Sequence, residues 1–241
     1  MFSVVVPAYN EGDHIFDNLK VMSDTISSFC DDFEIIAVND GSRDRTWLEI
    51  QRAAKLIPGV IDAGYEVNRG KGSAIVEGVM KSRGDIVGFL DADLDLMPDM
   101  FEGFLKKMEE TGCDVVIGSK MHKDSKLDYP PLRKVVSFGY FVMLKVLFGL
   151  SCHDTQTGIK IYKGDLIRKI VKVRQIKGYA FDIELLALAY RLGARIEEMP
   201  IVLHYSREES FSRIKISDIW KMFTDTWKVW WRLRVTHKYD L

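Results

Sequence analysis

The segment IVGFLDAD, residues 86–93, decides the fold class because a short apolar run ends in a pair of acids. The run from Ile86 to Leu90 has the length and composition of a buried strand. Asp91 and Asp93 would then stand where that strand emerges at the edge of a sheet. Ligands of open α/β sheets bind outside the carboxyl ends of the strands, and Mg²⁺ there is held by carboxylates and substrate phosphates. The segment predicts a cation site for a diphosphate substrate, although an isolated Asp-x-Asp is also typical of an acidic turn.

The first half of the chain alternates strand-like and helix-like segments. Apolar runs of strand length lie at Phe2–Val6, Phe33–Val38, Val60–Tyr65 and Asp114–Ile117. The stretches between them predict helices at Ile15–Phe29, Thr46–Leu56, Ser73–Ser82 and Pro98–Thr111, the last ended by Gly112. This alternation predicts the α/β class, with a mostly parallel sheet flanked by helices. A length of 241 residues suits one large domain.

Charge is divided unevenly between the two halves. Residues 1–119 contain 11 Lys and Arg against 22 Asp and Glu, whereas residues 120–241 contain 23 against 13. We interpret this as an acidic half that binds a metal and a basic half that faces phosphates or an anionic membrane surface. Solvation of helix faces is the alternative. Three cysteines without a CxxC pair, and an N-terminus without a leader-like segment, favour a reducing compartment.

Two segments of the second half predict amphipathic helices. Ten uncharged residues separate Lys134 from Lys145, which is too interrupted for a transmembrane helix of about 20 apolar residues and suits an interfacial helix better. Residues 214–235 mix Lys and Arg with four tryptophans, namely Trp220, Trp227, Trp230 and Trp231. Such a mixture is typical of a helix lying in a membrane interface. Docking on the protein's own core or in a dimer interface is the alternative.

Two loops are expected at the same sheet edge as Asp91, and a third motif opens a helix. PAYNE (residues 7–11) follows the first strand and NDGS (residues 39–42) follows the second. Tyr9 could stack on a nucleobase and Asp40 could accept hydrogen bonds from a base or ribose, unless both loops are simple turns. NRGKGS (residues 68–73) opens the third helix, where backbone N–H groups and Lys71 favour an anion. It does not match a phosphate-binding Walker loop.

The second half supplies candidate residues for the acceptor side of the pocket. DTQTG (residues 154–158) and AFDIE (residues 180–184) are polar clusters beside apolar stretches. Asp182 is either a helix cap or, with Asp154 and Gln156, part of the acceptor site. Arg207 either closes over phosphates or belongs to the charged surface.

Taken in order, five motifs resemble the inverting family 2 glycosyltransferases with the GT-A fold: VPAYNE (6–11), VNDGS (38–42), NRGKG (68–72), DAD (91–93) and GSK (118–120). DTQTGIK (154–160) and AFDIELL (180–186) resemble the dolichyl-phosphate glucosyltransferases more than the mannosyltransferases. The resemblance implies one GT-A domain at residues 1–213, with a nucleotide-binding half at 1–119 and an acceptor-binding half at 120–213. Residues 214–241 would form the amphipathic C-terminal helix.

The resemblance also implies roles for individual residues. Asp91, Asp93 and Asp182 are the predicted catalytic residues, and Asp93 and Asp95 the predicted ligands of Mg²⁺ or Mn²⁺. The predicted nucleotide-sugar contacts are Pro7, Tyr9, Glu11, Asp40, Lys71, Asp91, Ala92, Lys120 and Arg213. Two of these depart from the family pattern. Lys120 stands where Arg is usual, so a point charge replaces the planar guanidinium group. Arg213 stands where the ending Gly-Ser-Lys is usual.

The activity implied is metal-dependent, inverting transfer of a hexose from a nucleotide diphosphate sugar, with UDP-glucose favoured, to a polyprenyl (dolichyl) phosphate. A phosphate monoester, with a second pKa of about 6, is already largely dianionic at neutral pH and needs no strong base. The alternatives are GDP-mannose as donor, a glycan hydroxyl as acceptor, which would need a general base, and a nucleotide-sugar-binding scaffold without activity. We expect a peripheral protein on the cytoplasmic face of a membrane, with no nucleic acid partner.

Overall fold

The computed structural model describes residues 1–125, 131–150, 152–175, 180–203 and 216–239, with the backbone alone for 131–138 and 216–220. Across these ranges, no helix combines the length and the apolar content that crossing a bilayer requires.

The first half alternates strands and helices as predicted. Its strands are β1 (Phe2–Ala8), β2 (Phe33–Asp40), β3 (Val60–Tyr65), β4 (Ile86–Phe89) and β5 (Val115–Ser119). Its helices are α1 (Ile15–Ile26), α2 (Thr46–Leu56), α3 (Lys71–Lys81) and α4 (Met100–Thr111). The predicted stop at Gly112 is confirmed, since this residue ends α4 in the left-handed conformation with φ of 64°.

The second half contributes more helix than strand. Its elements are α5 (Pro131–Phe148), β6 (Lys160–Lys163), α6 (Gly164–Val173), α7 (Phe181–Arg191), β7 (Ile196–Pro200) and α8 (Ile216–Arg234). The two segments predicted as amphipathic helices are helical, as α5 and α8.

The described residues build one seven-stranded sheet in the order β3-β2-β1-β4-β6-β5-β7. All neighbouring pairs are parallel except those of β6, which runs antiparallel to both β4 and β5. The predicted mostly parallel sheet is therefore confirmed. Strand β6 was not predicted, because the run KIYK is only four residues long and begins and ends with lysine.

The sheet is covered on both faces, which explains its nearly continuous apolar strands. Side chains of α1, α2 and α4 pack on one face. Side chains of α3, α5, α6, α7 and α8 pack on the other. Insertion of β6 beside β4 brings the loop that precedes β6 to the edge where β4 ends. Lys160, the first residue of β6, pairs with Phe89 at the end of β4.

Candidate active site

A cavity of about 440 Å³ opens at the carboxyl ends of β1, β2 and β4 and at the start of α3. Its size falls within the range of small-molecule sites. The residues that line it are Pro7, Ala8, Tyr9, Glu11, Asp40, Asn68, Gly70, Lys71, Asp91, Ala92 and Asp93. The structure thus brings together all the first-half residues predicted to contact a nucleotide sugar.

Asp40 organises one wall of this cavity. Its Oδ1 accepts hydrogen bonds from the Tyr65 hydroxyl at 2.6 Å and from the backbone N–H groups of Arg69 at 2.9 Å and Gly70 at 3.1 Å. Its Oδ2 accepts one from Nδ2 of Asn68 at 3.1 Å. Burial, followed by the hydrogen bond to Asp40, raises the pKa of Tyr65 above its usual value. The buried Asp40 carboxylate therefore holds the loop between β3 and α3, a role that the sequence did not reveal.

Lys71 and Asp91 form an ion pair inside the cavity. Nζ of Lys71, the first residue of α3, lies 2.5 Å from Oδ1 of Asp91. Partial loss of solvent at the cavity wall lowers the pKa of Lys71, but the carboxylates of Asp91, Asp182 and Asp93 outweigh that effect, so the net shift is upward. Lys71 thus stays protonated under the influence of acids from both halves of the chain.

Asp93 is held in an acidic environment that suits a cation. Burial is the first cause, and the charge of Asp91 the second, that raises the pKa of Asp93 to about 6. The backbone N–H of Asp95 donates to Oδ1 of Asp93 at 3.1 Å. Crowding of this kind disfavours ionised carboxylates and is relieved by a bound cation.

Asp91 and Asp93 fit a divalent ion whose other ligands come from a substrate and from water. Mg²⁺ usually keeps several waters and uses only one or two carboxylates together with substrate phosphates. In the part of the chain that the structure describes, no three acidic, histidine or cysteine side chains are grouped so that they could hold a metal ion by themselves. The assignment of Asp95 as a metal ligand stays a prediction.

The predicted acceptor residues Asp154 and Gln156 lie in a polar loop beside Lys120, a predicted nucleotide-sugar contact. Oδ2 of Asp154 accepts from the backbone N–H of Lys120 at 3.0 Å, and Oδ1 accepts from the N–H of Gln156 at 3.2 Å. Nε2 of Gln156 lies 3.0 Å from Sδ of Met222 in α8. None of these three predicted residues lines the cavity, so their substrate contacts stay predictions. Arg207 and Arg213 lie outside the described residues.

Asp182 is paired with a buried lysine that the sequence analysis missed. Nζ of Lys160 lies 2.5 Å from Oδ1 of Asp182. Asp182 stands near the start of α7, next to Phe181, and the close approach of α3 to Phe181 needs a glycine. A Cβ at Gly72 would lie only 2.8 Å from Cγ of Phe181. Because Asp182 already accepts a hydrogen bond from Lys160, a positioning role suits it better than that of a free general base.

Gly158 is a second residue that the sequence analysis missed. It precedes β6, and a Cβ at this position would overlap Oδ2 of Asp91. The loop of the second half therefore closes directly onto Asp91, which follows β4. Glycine in DTQTG gives a signal for close backbone approach, but the sequence does not show which group approaches it.

Comparison with known proteins now decides the family. The sequence model of glycosyl transferase family 2 matches residues 3–171. The chain belongs to glycosyl transferase family 2. It is 36% identical to dolichyl-phosphate beta-glucosyltransferase ALG5A of Trichomonas vaginalis, over 94% of this chain and 72% of that relative. It is 32% identical to dolichyl-phosphate beta-glucosyltransferase of Saccharomyces cerevisiae, over 84% of this chain and 66% of that one. The chain is a glycosyltransferase, as the motifs predicted.

Solved structures confirm the predicted GT-A fold. Glucosyl-3-phosphoglycerate synthase of Mycobacterium tuberculosis superposes with a TM-score of 0.66 at 22% identity, over 96% of this chain and 79% of that one. Crystals of that protein have been solved with Mn²⁺, UDP and glucosyl-3-phosphoglycerate, and with Mg²⁺ and UDP. At this identity the likeness establishes the fold.

Proposed function

We propose that this glycosyltransferase moves glucose from UDP-glucose to a polyprenyl phosphate such as dolichyl phosphate, with inversion at the anomeric carbon and with Mg²⁺ or Mn²⁺ as cofactor. The observation that carries the proposal is the charge arrangement at the end of β4. Asp91, Asp93 and Lys71 converge in one cavity of nucleotide size. The names of the relatives at 36% and 32% identity support glucosyl transfer to dolichyl phosphate.

On the donor side, each group has a chemical task. The ring of Tyr9 is partly exposed in the cavity and can stack on the base. Asp91 and Asp93 would hold the divalent ion, which supplies Lewis-acid stabilisation of the leaving diphosphate. The ammonium group of Lys71 offsets negative charge at the same place. These groups favour departure of a nucleoside diphosphate.

On the acceptor side, a phosphate dianion explains why a free base is dispensable. One phosphate oxygen attacks the anomeric carbon, the bond from that carbon to the donor diphosphate breaks, and the bonding electrons leave with the nucleoside diphosphate. No proton is transferred, because the acceptor is largely dianionic at neutral pH. A sugar hydroxyl would instead need a base, and Asp182 is engaged by Lys160.

Product analysis tests this proposal. We expect purified protein with UDP-glucose, dolichyl phosphate and Mg²⁺ or Mn²⁺ to form a glucolipid that is extracted into chloroform and identified by mass spectrometry, and EDTA to abolish its formation. GDP-mannose should compete poorly as donor in the same mixture. A mannolipid as the main product would contradict the choice of donor. Donor binding without any transfer product, to lipid or to glycan, would indicate a scaffold.

We also propose that α5 and α8 bind an anionic membrane surface from its cytoplasmic face, where the acceptor lipid would be reached. The two helices contact each other, since the Tyr140 hydroxyl lies 2.9 Å from Oγ1 of Thr226. Val146 of α5 is 78% exposed, and Trp227 and Trp231 of α8 are 53% and 47% exposed. Exposed tryptophans on a basic helix are typical of segments that lie in a membrane interface.

Vesicle binding tests the membrane proposal. We expect the double substitution Trp227→Ser and Trp231→Ser to weaken co-sedimentation with phosphatidylserine-containing vesicles by about tenfold or more, because each large apolar side chain contributes about 1.5–3 kcal/mol when buried. The matched control is Leu48→Ser, which removes an exposed apolar side chain from α2 in the acidic half and should not change binding. Equal pelleting of the double variant and the wild type would remove α8 from the proposal.

A further inference from the structure

Lys160 is a buried cation one strand away from the catalytic acids. Its side chain is 2% exposed, although lysine is almost never fully buried unless it is paired. Its backbone pairs with Phe89 of β4 on one side and with Ile117 of β5 on the other. An ammonium group in such a place is unfavourable without compensation, so its partners are informative.

Two groups from different segments compensate the charge of Lys160. Nζ donates to the carbonyl oxygen of Thr157 at 2.6 Å and to Oδ1 of Asp182 at 2.5 Å. One ammonium group therefore ties the loop before β6 to the start of α7. Tyr162, two residues further along the same strand, is completely buried. Charge interactions are strong in such buried surroundings.

The pair continues into the donor cavity as a series of alternating charges. Lys160 contacts Asp182, and Lys71 contacts Asp91, each at 2.5 Å. Asp182 is also close enough to Lys71 to raise its pKa. Lys71 lines the cavity, whereas Asp182, near the start of α7 in the second half of the chain, does not.

Lys160 reduces the negative charge beside the cavity. The carboxylates of Asp91, Asp93 and Asp182 contribute three negative charges, and Lys71 and Lys160 contribute two positive ones. Without Lys160 these side chains carry one more negative charge, and only Lys71 is left to offset the carboxylate of Asp182. The additional negative charge disfavours the approach of a dianion.

We propose that Lys160 is a positioning residue for the transfer reaction, which neutralises and orients Asp182 so that a phosphate dianion can approach Lys71. The inference rests on the proposed phosphate acceptor. Lys160 itself touches neither substrate. It acts through Asp182, and its loss should affect the acceptor rather than the donor.

The substitution Lys160→Met tests the proposal because methionine keeps most of the length of the side chain and removes its charge. We expect the KM for farnesyl phosphate, a short and soluble acceptor, to rise about tenfold or more, which corresponds to about 1.4 kcal/mol. The affinity for UDP-glucose with Mg²⁺ should stay within about twofold of wild type, because the donor carboxylates are unchanged. Adding Asp182→Asn should bring the acceptor KM back, since both charges are then absent. The matched control is Lys163→Met, at the other end of β6, where Lys163 pairs with Asp114.

A purely structural role predicts a different pattern. It would lower the melting temperature and the active fraction of Lys160→Met without changing the acceptor KM of the folded protein. An unchanged acceptor KM, or no rescue by Asp182→Asn, would overturn the proposal. If Lys160→Met does not fold, Lys160→Gln decides, because it also removes the charge and keeps a side chain that can donate a hydrogen bond to Asp182. An acceptor KM within about twofold of wild type in that variant would overturn the proposal equally.

The same proteins separate this inference from the proposed function. If wild-type protein forms no glucolipid, the proposed transfer is contradicted, but the role of Lys160 is not. Calorimetric titration of farnesyl phosphate into each protein with UDP and Mg²⁺ then measures acceptor binding directly. The expected order is unchanged, with Lys160→Met weaker than wild type and the double variant restored. Equal binding by wild type and Lys160→Met would refute the role of Lys160 even if transfer is confirmed.

Discussion

Replacing Asp93 with asparagine should lower the rate of glucosyl transfer by about a thousandfold or more, because loss of a metal-binding carboxylate forfeits several kcal/mol of leaving-group stabilisation. Asparagine has the same shape, so the cavity should be preserved. The burial and the neighbouring Asp91 that raise the pKa of Asp93 to about 6 mean that its ionised form destabilises the fold at neutral pH. Removing the charge should therefore leave the melting temperature unchanged or raise it, while activity is lost.

Initial rates of glucolipid formation and thermal unfolding, measured on the same preparation, separate these two effects. The matched control is Asp99→Asn, which changes an exposed acid next to the start of α4, outside the residues that line the cavity. We expect it to retain wild-type activity. Asp93→Asn with more than about a tenth of the wild-type rate, which is less than 1.4 kcal/mol of lost stabilisation, would mean that Asp93 is not a ligand of a required cation. A rate loss that matches a loss of folded protein would have the same consequence.

Much of the donor site could be predicted from sequence because local pattern and topology act together there. Parallel strands buried on both faces leave apolar runs that are easy to read. Their carboxyl ends meet at one edge, so Tyr9, Asp40 and Asp91, each placed after or at the end of such a run, had to lie close together. The cavity at this edge confirms that expectation.

The residues that sequence reasoning missed depend on contacts between distant segments. Lys160 breaks the rule that lysine is exposed, and its compensation comes from Asp182, which is 22 positions away. Asp40 looked like a turn residue or a base contact, yet its carboxylate also binds backbone N–H groups of a loop 29 and 30 positions later. Strand β6 has only four residues and begins and ends with lysine, so it lacks the apolar run that predicts a buried strand. Periodicity does not encode such pairings, and they appear only once the sheet order is known.

The substitution Gly158→Ala should lower the transfer rate by about a hundredfold, because a misplacement of about 1 Å at a reacting centre is enough for such a loss. A Cβ at this position would overlap Oδ2 of Asp91. Either the Asp91 carboxylate turns away from Lys71, or the loop before β6 moves away from the end of β4. In both cases the position of Asp91 relative to the proposed cation site changes. We therefore expect weaker Mg²⁺-dependent binding of UDP, measured by calorimetry, together with the lower rate.

The control for Gly158→Ala is Gly103→Ala in α4, where a Cβ would lie 3.5 Å from Cε of Met199 in ordinary contact. That change should leave activity intact and add up to about 1 kcal/mol of stability, since alanine is the better helix former. Gly158→Ala with full activity and normal UDP binding would show that this loop does not position Asp91. The expected loss of activity and of UDP binding would instead show that this loop positions Asp91. Thr157, which binds Lys160 through its carbonyl oxygen, immediately precedes Gly158, so one short loop contacts both Asp91 and the buried Lys160.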